Sequence, residues 1–203
     1  MGVLATWPFG FWQAWLYLAV ATVVGVPMSA YLLVTDPKLV KRRLRGPNDE
    51  SHISQKLLQV AAPAILLGTF LLCWLDHRFS WSHVPQWAVI GGDGLLVVSL
   101  LIVFLALRAN TFAASNIVVE VGQHVIATGP YAIVRHPYYS GLLVSYVATP
   151  IALGSYWGLL VLAPVTLMLV SRIRFEERFL SEHLRGYAEY CRAVRYRLAP
   201  LIW

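Results

Sequence analysis

Long stretches without a charged side chain are the feature that most limits how this chain can fold. Residues 11–34 and 57–75 contain no Asp, Glu, Lys or Arg, and residues 88–107 contain only Asp93, near the start of the run. A helix needs about 20 apolar residues to cross a bilayer. The sequence therefore predicts three membrane-spanning helices before residue 110.

Two shorter apolar runs follow, at residues 142–153 and 157–171, and the Gly-Ser-Tyr sequence between them is typical of a turn. Each run reaches spanning length only with the residues that flank it, so we expect a tight helical hairpin here. The expected fold is an all-α integral membrane protein of about five transmembrane helices. It forms one membrane domain over residues 1–203, since only 13% of the residues are charged and no separate soluble module is apparent.

The basic residues predict the orientation of these helices. Fifteen of the sixteen Lys and Arg residues, all except Arg78, fall in the three segments that five crossings place on one side. Cytoplasmic loops carry the excess of basic residues, so we expect the amino terminus outside and the carboxyl terminus in the cytoplasm. The alanine- and arginine-rich composition is typical of a bacterial protein, which indicates the inner membrane. A basic cytoplasmic side facing anionic lipid accounts for the net charge of +6, and no nucleic-acid partner is expected.

One polar and conformationally restricted segment stands out in the second half of the chain. Residues 129–141 read GPYAIVRHPYYSG, and we call them the 129–141 segment. Its two prolines limit backbone freedom, and its two glycines allow close approach of other groups. By the orientation above, this segment lies at the cytoplasmic edge of the membrane.

A second informative stretch, residues 172–190, reads RIRFEERFLSEHLRGYAEY. Its apolar and polar residues separate onto two faces at helical spacing, which predicts an amphipathic helix along the cytoplasmic surface. Glu177 falls at the edge of the polar face, whereas Arg172, Glu176 and His183 project from the apolar face. Charged groups there are costly unless they are paired or bind something.

Two interpretations of these residues follow. Arg172 and Glu176, four residues apart, form a structural ion pair, or they line a polar pocket that faces the 129–141 segment. His136 is likewise either a hydrogen-bonded residue at the membrane boundary or part of that pocket. No metal site is expected, because Cys73 and Cys191 lie on different segments and no HExxH pair is present.

Three motifs in this order resemble those of the isoprenylcysteine carboxyl methyltransferase family, which is akin to the membrane phospholipid methyltransferases. RHPYYSG fits the pattern RHPxYxG, RIRFEERFL fits RIxxEExxL, and GYAEYCRAVRYRLAPLIW fits the closing segment of the family. The resemblance covers roughly residues 112–203 and departs from the family pattern at Tyr138, where a small residue is usual. It implies a cofactor-binding catalytic half at residues 111–203 and a three-helix anchor half at residues 1–110.

The resemblance implies methyl transfer from S-adenosylmethionine within the membrane bundle. It implies catalytic roles for Arg172, which would orient the substrate, and for Glu176. A glutamine that the family often carries upstream has its counterpart at either Asn116 or Glu120. The residues that the resemblance assigns to the cofactor site are Gln123, His124, Val125, Ile126, Tyr131, Arg135, His136, Pro137, Tyr138, Tyr139, Gly141 and Glu176.

The identity of the acceptor stays open at this point. The resemblance implies a lipophilic or lipidated substrate, such as a prenylated carboxylate, while an amine-headed phospholipid and a small thiol are alternatives. Two alternatives belong to other classes. One is an NADPH-dependent membrane reductase, because sterol reductases resemble this family in their carboxyl-terminal half, and the other is a non-catalytic membrane subunit that keeps the fold. Membrane lipid is the expected partner, and no oligomeric state is predicted.

Overall fold

A computed structural model describes residues 10–45 and 53–203. Within those ranges the chain forms seven α-helices and two short 3-10 helices, Gly129–Ala132 and Trp157–Val161. The predicted all-α fold is confirmed. The α-helices, numbered in chain order, are α1 (Trp12–Thr35), α2 (Pro37–Arg43), α3 (Ile53–Phe79), α4 (Gln86–Ala109), α5 (Pro137–Ala152), α6 (Leu162–His183) and α7 (Tyr187–Ala193).

Four helical stretches of the described residues are long and apolar enough to cross a membrane, and the three spans predicted in the first half are among them. The remaining predicted span, α5, has 16 residues, which is about 24 Å at 1.5 Å per residue. It is shorter than a helix that crosses a bilayer alone. The four candidate spans are Trp12–Thr35, Gln55–Phe79, Gln86–Ala109 and Trp157–His183.

Helix α5 nevertheless runs antiparallel along most of α4. Gly141 lies against Val103 near the end of α4, and Gly92 near the start of α4 lies against Ala152. A Cβ atom on Gly92 would come within 2.5 Å of the backbone nitrogen of Ala152, and one on Gly141 within 2.6 Å of the Val103 side chain. The two helices therefore pack with their backbones in close approach, as small residues permit in membranes.

The amphipathic helix expected at residues 172–190 is not a separate surface element. Helix α6 is continuous from the bundle to its end, so Arg172 and Glu176 lie within the helix of a candidate span. Gly186, with a φ of 85°, then redirects the chain into α7. The apolar residues beyond α6 form a small core of their own under α7, made of Leu184, Tyr187 and Tyr190.

At the far end of the bundle from the 129–141 segment, a buried carboxylate joins three parts of the chain. Asp76, in the last turn of α3, accepts hydrogen bonds from the backbone N–H of Ser82 (2.7 Å) and from the hydroxyls of Ser82 (2.6 Å) and Ser155 (2.5 Å). Ser82 precedes α4, and Ser155 lies between α5 and α6. These bonds hold the helix ends at fixed positions, and the opposite ends of the same helices carry the cavity described next.

Candidate functional site

A cavity of about 850 Å³, including its opening, lies where α4 ends and α5 begins. We call it the first cavity; residues 110–128, the 129–141 segment, α6 and α7 surround it. Eleven of the thirteen residues that the sequence analysis named for the site line this cavity. They are Gln123, His124, Val125, Ile126, Tyr131, Arg135, His136, Tyr138, Tyr139, Arg172 and Glu176.

Pro137 and Gly141 do not line the first cavity. Pro137 is buried in the first turn of α5, where its fixed φ and missing N–H are tolerated. Gly141 packs against α4, and its expected contact with a cofactor stays a prediction. His183, expected on the apolar face of the tail helix, is exposed, and its Nδ1 lies 2.8 Å from the carbonyl oxygen of Phe179.

Tyr139 connects the two charged residues of α6 that the motif singled out. Its hydroxyl donates a hydrogen bond to Oε2 of Glu176 (2.7 Å) and accepts one from Nε of Arg172 (3.0 Å). The two side chains are therefore joined through a tyrosine hydroxyl and not by a direct ion pair. All three side chains line the first cavity. The polar-pocket interpretation agrees with this geometry better than the simple structural pair does.

Glu177 is buried, which corrects its expected place at the edge of a polar face. Its Oε1 lies 3.0 Å from Nε of Arg135, as an ion pair without hydrogen-bond alignment, and 3.3 Å from Nε2 of His136. Its Oε2 accepts a hydrogen bond of 2.8 Å from Nε of Arg197. Helical phase misplaced Glu177 because the groups that bury it come from the 129–141 segment and from the carboxyl-terminal residues.

The carboxyl-terminal residues also hold the backbone of the 129–141 segment. The N–H groups of Arg135 and His136 donate to the carbonyl oxygens of Tyr196 and Arg197, each at 2.9 Å. The hydroxyl of Ser140 donates to a third carbonyl in the same stretch, at 2.6 Å. His136 is thus held by both its backbone and its ring while it borders the first cavity.

Three buried tyrosines form an aromatic part of the cavity lining. The hydroxyl of Tyr190 donates a hydrogen bond of 2.7 Å to the carbonyl oxygen of Tyr131. Burial raises the pKa of Tyr131 to about 12, and it raises the pKa values of Tyr187 and Tyr190 as well. All three hydroxyls therefore stay protonated at neutral pH, and this part of the lining carries no charge.

Residues 110–128, which lead from α4 to the 129–141 segment, are held in place by α2. Arg42 donates a hydrogen bond of 2.9 Å to the carbonyl oxygen of Thr111, and Arg45, just after α2, donates one of 2.6 Å to Glu120. Asn116 is buried and lines the first cavity. Of the two candidates for the upstream glutamine of the family, Asn116 is therefore the one that the structure brings to the site.

Arg43 is the main lining residue that the sequence analysis missed. Its Nη2 donates a hydrogen bond to the hydroxyl of Tyr138, and its guanidinium carbon lies 4.2 Å from the centroid of that ring. In the sequence, Arg43 belongs to a run of basic residues after the first span. That run predicts the orientation of the helices and gives no sign of a site. The other lining residues not predicted are Asn110, Phe112, Ala113, Ala114, Ile117, Val118, Leu180, Leu184, Tyr187 and Tyr190.

A second cavity of about 820 Å³, including its opening, lies next to the first, between α3, α5 and α6. The helices contribute five apolar side chains to its lining, those of Leu58, Ala62, Leu142, Met168 and Leu169. Gln59 on α3, Arg45 and Ser115 add polar groups to the same lining. The two cavities meet at residues that line both, which we call the shared wall. The shared wall consists of Arg43, Ala114, Tyr138, Tyr139 and Arg172.

Residues 87–186 match the family model for phospholipid methyltransferase. The matched region contains α4, α5 and α6, and with them the 129–141 segment, Arg172 and Glu176. The matched region is just under half of the chain, and the matched family belongs to the superfamily that also includes the isoprenylcysteine carboxyl methyltransferases. Methyltransferases of the matched family generally use S-adenosylmethionine.

The chain is also similar to the Delta(14)-sterol reductase TM7SF2 of Mus musculus. The two are 32% identical over 85 residues, which cover 40% of this chain and 20% of the reductase. The similarity therefore spans about a fifth of the length of that relative. It agrees with the reductase alternative, although the methyltransferase family match covers more of the chain.

Proposed function

We propose that this protein is an S-adenosylmethionine-dependent membrane methyltransferase that acts on a lipid-like acceptor. The observation that carries the proposal is the pair of cavities with a shared wall. One is lined by polar and aromatic groups, and the other lies between apolar helices. Transfer between a water-soluble cofactor and a lipid needs two such compartments that meet at one point. The family match over residues 87–186 supports the same reaction class.

The lining of the first cavity suits S-adenosylmethionine in its chemistry. The carboxylate of Glu176 can accept hydrogen bonds from ribose hydroxyls or from the adenine amine, and Leu180 and Leu184 offer apolar surface to the base. The rings of Tyr131 and Tyr139 can stabilise a cationic sulfonium by ~0.5–2 kcal/mol each.

The contribution of the chain to catalysis is alignment. S-adenosylmethionine supplies a methyl group bonded to a positively charged sulfur, and its transfer is an in-line displacement. Such a reaction gains most from fixed geometry and from the exclusion of water. At the shared wall, Arg172 donates to Tyr139, and Tyr139 donates to Glu176. These bonds hold the residues between the two cavities in one arrangement.

We assign the second cavity to the acceptor. Its apolar side chains suit a hydrocarbon chain, and Arg172 at the shared wall can hold a carboxylate through two parallel hydrogen bonds. A prenylated or other lipid-linked carboxylate fits this arrangement and needs no general base. An amine-headed phospholipid is the second candidate acceptor, because the matched family is named for phospholipids.

We infer from the distribution of basic residues that both cavities lie at the cytoplasmic side of the membrane. Five arginines lie at the end of the bundle that carries the cavities, namely Arg42, Arg43, Arg45, Arg135 and Arg172. An excess of basic residues marks the cytoplasmic side. Residues 111–203 then form the cofactor-binding half and residues 1–110 the anchor half, with Arg43 as a contribution of the anchor half to the site.

Reduction with a nicotinamide cofactor is a second candidate function, favoured by the similarity to a sterol reductase. Equilibrium binding of labelled S-adenosylmethionine and of NADPH to the detergent-solubilised protein separates the candidates. We expect saturable binding of S-adenosylmethionine that excess NADPH does not displace. Binding of NADPH alone would replace the methyltransferase proposal with the reductase. Binding of neither would favour the non-catalytic subunit.

A further inference from the structure

Two arginines reach the shared wall through matching contacts. Arg43, on α2, donates to the carbonyl oxygen of Ala114 (3.4 Å) and to the hydroxyl of Tyr138. Arg172, on α6, donates to the carbonyl oxygen of Ser115 and, at 3.0 Å, to the hydroxyl of the next tyrosine. The two carbonyls belong to consecutive residues, and so do the two tyrosines. The guanidinium groups are therefore held at neighbouring points of the same wall.

The charge of Arg43 differs from that of its neighbours in having no carboxylate beside it. Arg42 and Arg45 lie 3.6 Å and 2.6 Å from Glu120, whereas no carboxylate of the described residues is within ion-pair distance of Arg43. Arg43 is half-buried, and two of its five N–H groups have partners among those residues. A partly desolvated guanidinium in this state attracts an anion.

The location of the two arginines indicates where that anion comes from. Both line the second cavity as well as the first, and the second cavity has apolar walls from three helices. A molecule whose hydrocarbon chain occupies the second cavity brings its head group to Arg43 and Arg172. Free phosphate would gain nothing from the apolar walls, which favours an amphiphile over a soluble anion.

We propose that Arg43 and Arg172 together bind the anionic head group of a membrane amphiphile, a phosphate or a carboxylate. This inference rests on the proposed function and makes it more specific, since it assigns to Arg43 the selection of the acceptor. Two planar guanidinium groups can each form paired hydrogen bonds to such an oxyanion. A cationic head group is excluded by like charge, and a zwitterionic phospholipid presents its phosphate to the arginines.

The test uses the full-length protein in an uncharged detergent and a set of amphiphiles with one chain length. Dodecyl phosphate and dodecanoate carry the anion, dodecyltrimethylammonium carries the opposite charge, and inorganic phosphate lacks the chain. Binding of each is measured by titration calorimetry for the wild type and for Arg43→Gln, Arg43→Lys and Lys41→Gln. Lys41 is exposed on the same helix, so Lys41→Gln is a control for the loss of one charge. The melting temperature and the affinity for S-adenosylmethionine are measured on the same preparations.

We expect the wild type to bind the two anionic amphiphiles and neither of the other probes. Arg43→Gln should weaken that binding at least tenfold, Arg43→Lys should weaken it less, and Lys41→Gln should leave it within twofold. Lys41→Gln should change the affinity for S-adenosylmethionine less than twofold, and in the two Arg43 variants that affinity should fall less than the affinity for the anionic amphiphiles does. Should Arg43→Gln not fold, Arg43→Lys and the selectivity of the wild type among the four probes still test the proposal.

Three results would overturn the inference. The first is equal binding of the anionic and cationic amphiphiles by the wild type, and the second is equal binding of inorganic phosphate and dodecyl phosphate. The third is a loss in Arg43→Gln of melting temperature and S-adenosylmethionine affinity together, with no more effect on the amphiphiles than Lys41→Gln has. That result would limit Arg43 to holding residues 110–128. Failure of the methyltransferase proposal differs from all three, because the wild type would then not bind S-adenosylmethionine whatever the amphiphile results.

Discussion

Arg172 and Glu176 lie one turn apart on α6, and the hydroxyl of Tyr139 stands between them, 3.0 Å from Nε of the arginine and 2.7 Å from Oε2 of the glutamate. A direct ion pair at this spacing would satisfy each group with the other. The tyrosine instead leaves the carboxylate facing the first cavity and the guanidinium on the shared wall. Glu176 therefore borders only the first cavity, while Arg172 borders both, so under the proposed function substitutions at the two positions should have different effects.

Glu176→Gln should weaken the binding of S-adenosylmethionine at least tenfold, about 1.4 kcal/mol. The carboxylate is a stronger hydrogen-bond acceptor than an amide, and it also attracts the cationic cofactor. The fold should persist, because Glu176 borders a cavity and is bonded to Tyr139 and not to a buried cation. A cofactor dissociation constant and a melting temperature for the variant check both statements.

Glu177→Gln is the matched comparison, one residue along the same helix. Glu177 is buried among Arg135, His136 and Arg197, and its neutralisation leaves those groups without their counter-charge. Loss of one member of such a group is strongly destabilising, so the melting temperature should fall by roughly 5 °C or more. Equal effects of the two substitutions on both affinity and melting temperature would show that the two glutamates do not have separate roles.

Arg172→Lys should reduce methyl transfer far more than it reduces cofactor affinity. Lysine keeps the charge but cannot present two parallel donors to an acceptor anion. The comparison is a turnover rate against a dissociation constant for S-adenosylmethionine. Full turnover in Arg172→Lys would rule out the orienting role. A matched fall in cofactor affinity and melting temperature would instead reduce Arg172 to a structural residue.

Gly92→Ala should destabilise the protein, whereas Gly91→Ala should not. A Cβ atom at Gly92 meets the backbone of Ala152 at 2.5 Å, and one at Gly91 meets nothing within 4 Å. Overpacking of this kind costs about 1–3 kcal/mol, while an open helical position gains up to ~1 kcal/mol from alanine. Melting temperatures of the two variants in one detergent make the comparison. Equal values would mean that α4 and α5 do not pack this closely.

Reporter fusions test the orientation. A fusion in the loop that contains Ser82 should report the outside, and a fusion after Trp203 should report the cytoplasm, because the basic residues lie at the cavity end of the bundle. Fusions that report the same side would show that the number of crossings between these two points is wrong.

The long helices could be predicted from the sequence, and much of the site could not. Long apolar runs predict α1, α3 and α4, because a helix needs an apolar stretch of known length to cross a bilayer. The motif residues Tyr139, Arg172 and Glu176 line one cavity in the folded chain, and their roles at a cofactor stay predictions. Helix α5 is too short to be identified as a span from its length. It packs closely on α4, so it contacts another helix where a longer span would contact lipid.

The partners of Glu177 and Arg43 could not be read from local pattern. Helical phase gives the direction in which a side chain points, but it does not show which residues from other segments will contact that side chain. Glu177 is buried by the carboxyl-terminal Arg197, and Arg43 is directed into the site by Tyr138 on α5. Both contacts join segments that are distant in sequence, so only the folded chain reveals them.

The central claim is that a methyl group passes from the first cavity to a lipid-like molecule in the second. The most direct measurement follows labelled methyl from S-adenosylmethionine in membranes that contain the wild type, Glu176→Gln or Arg172→Lys. The account predicts label in the solvent-extractable lipid fraction with the wild type, and at least tenfold less with either variant. Binding of S-adenosylmethionine by the wild type without label in that fraction, or equal labelling by all three proteins, would contradict it.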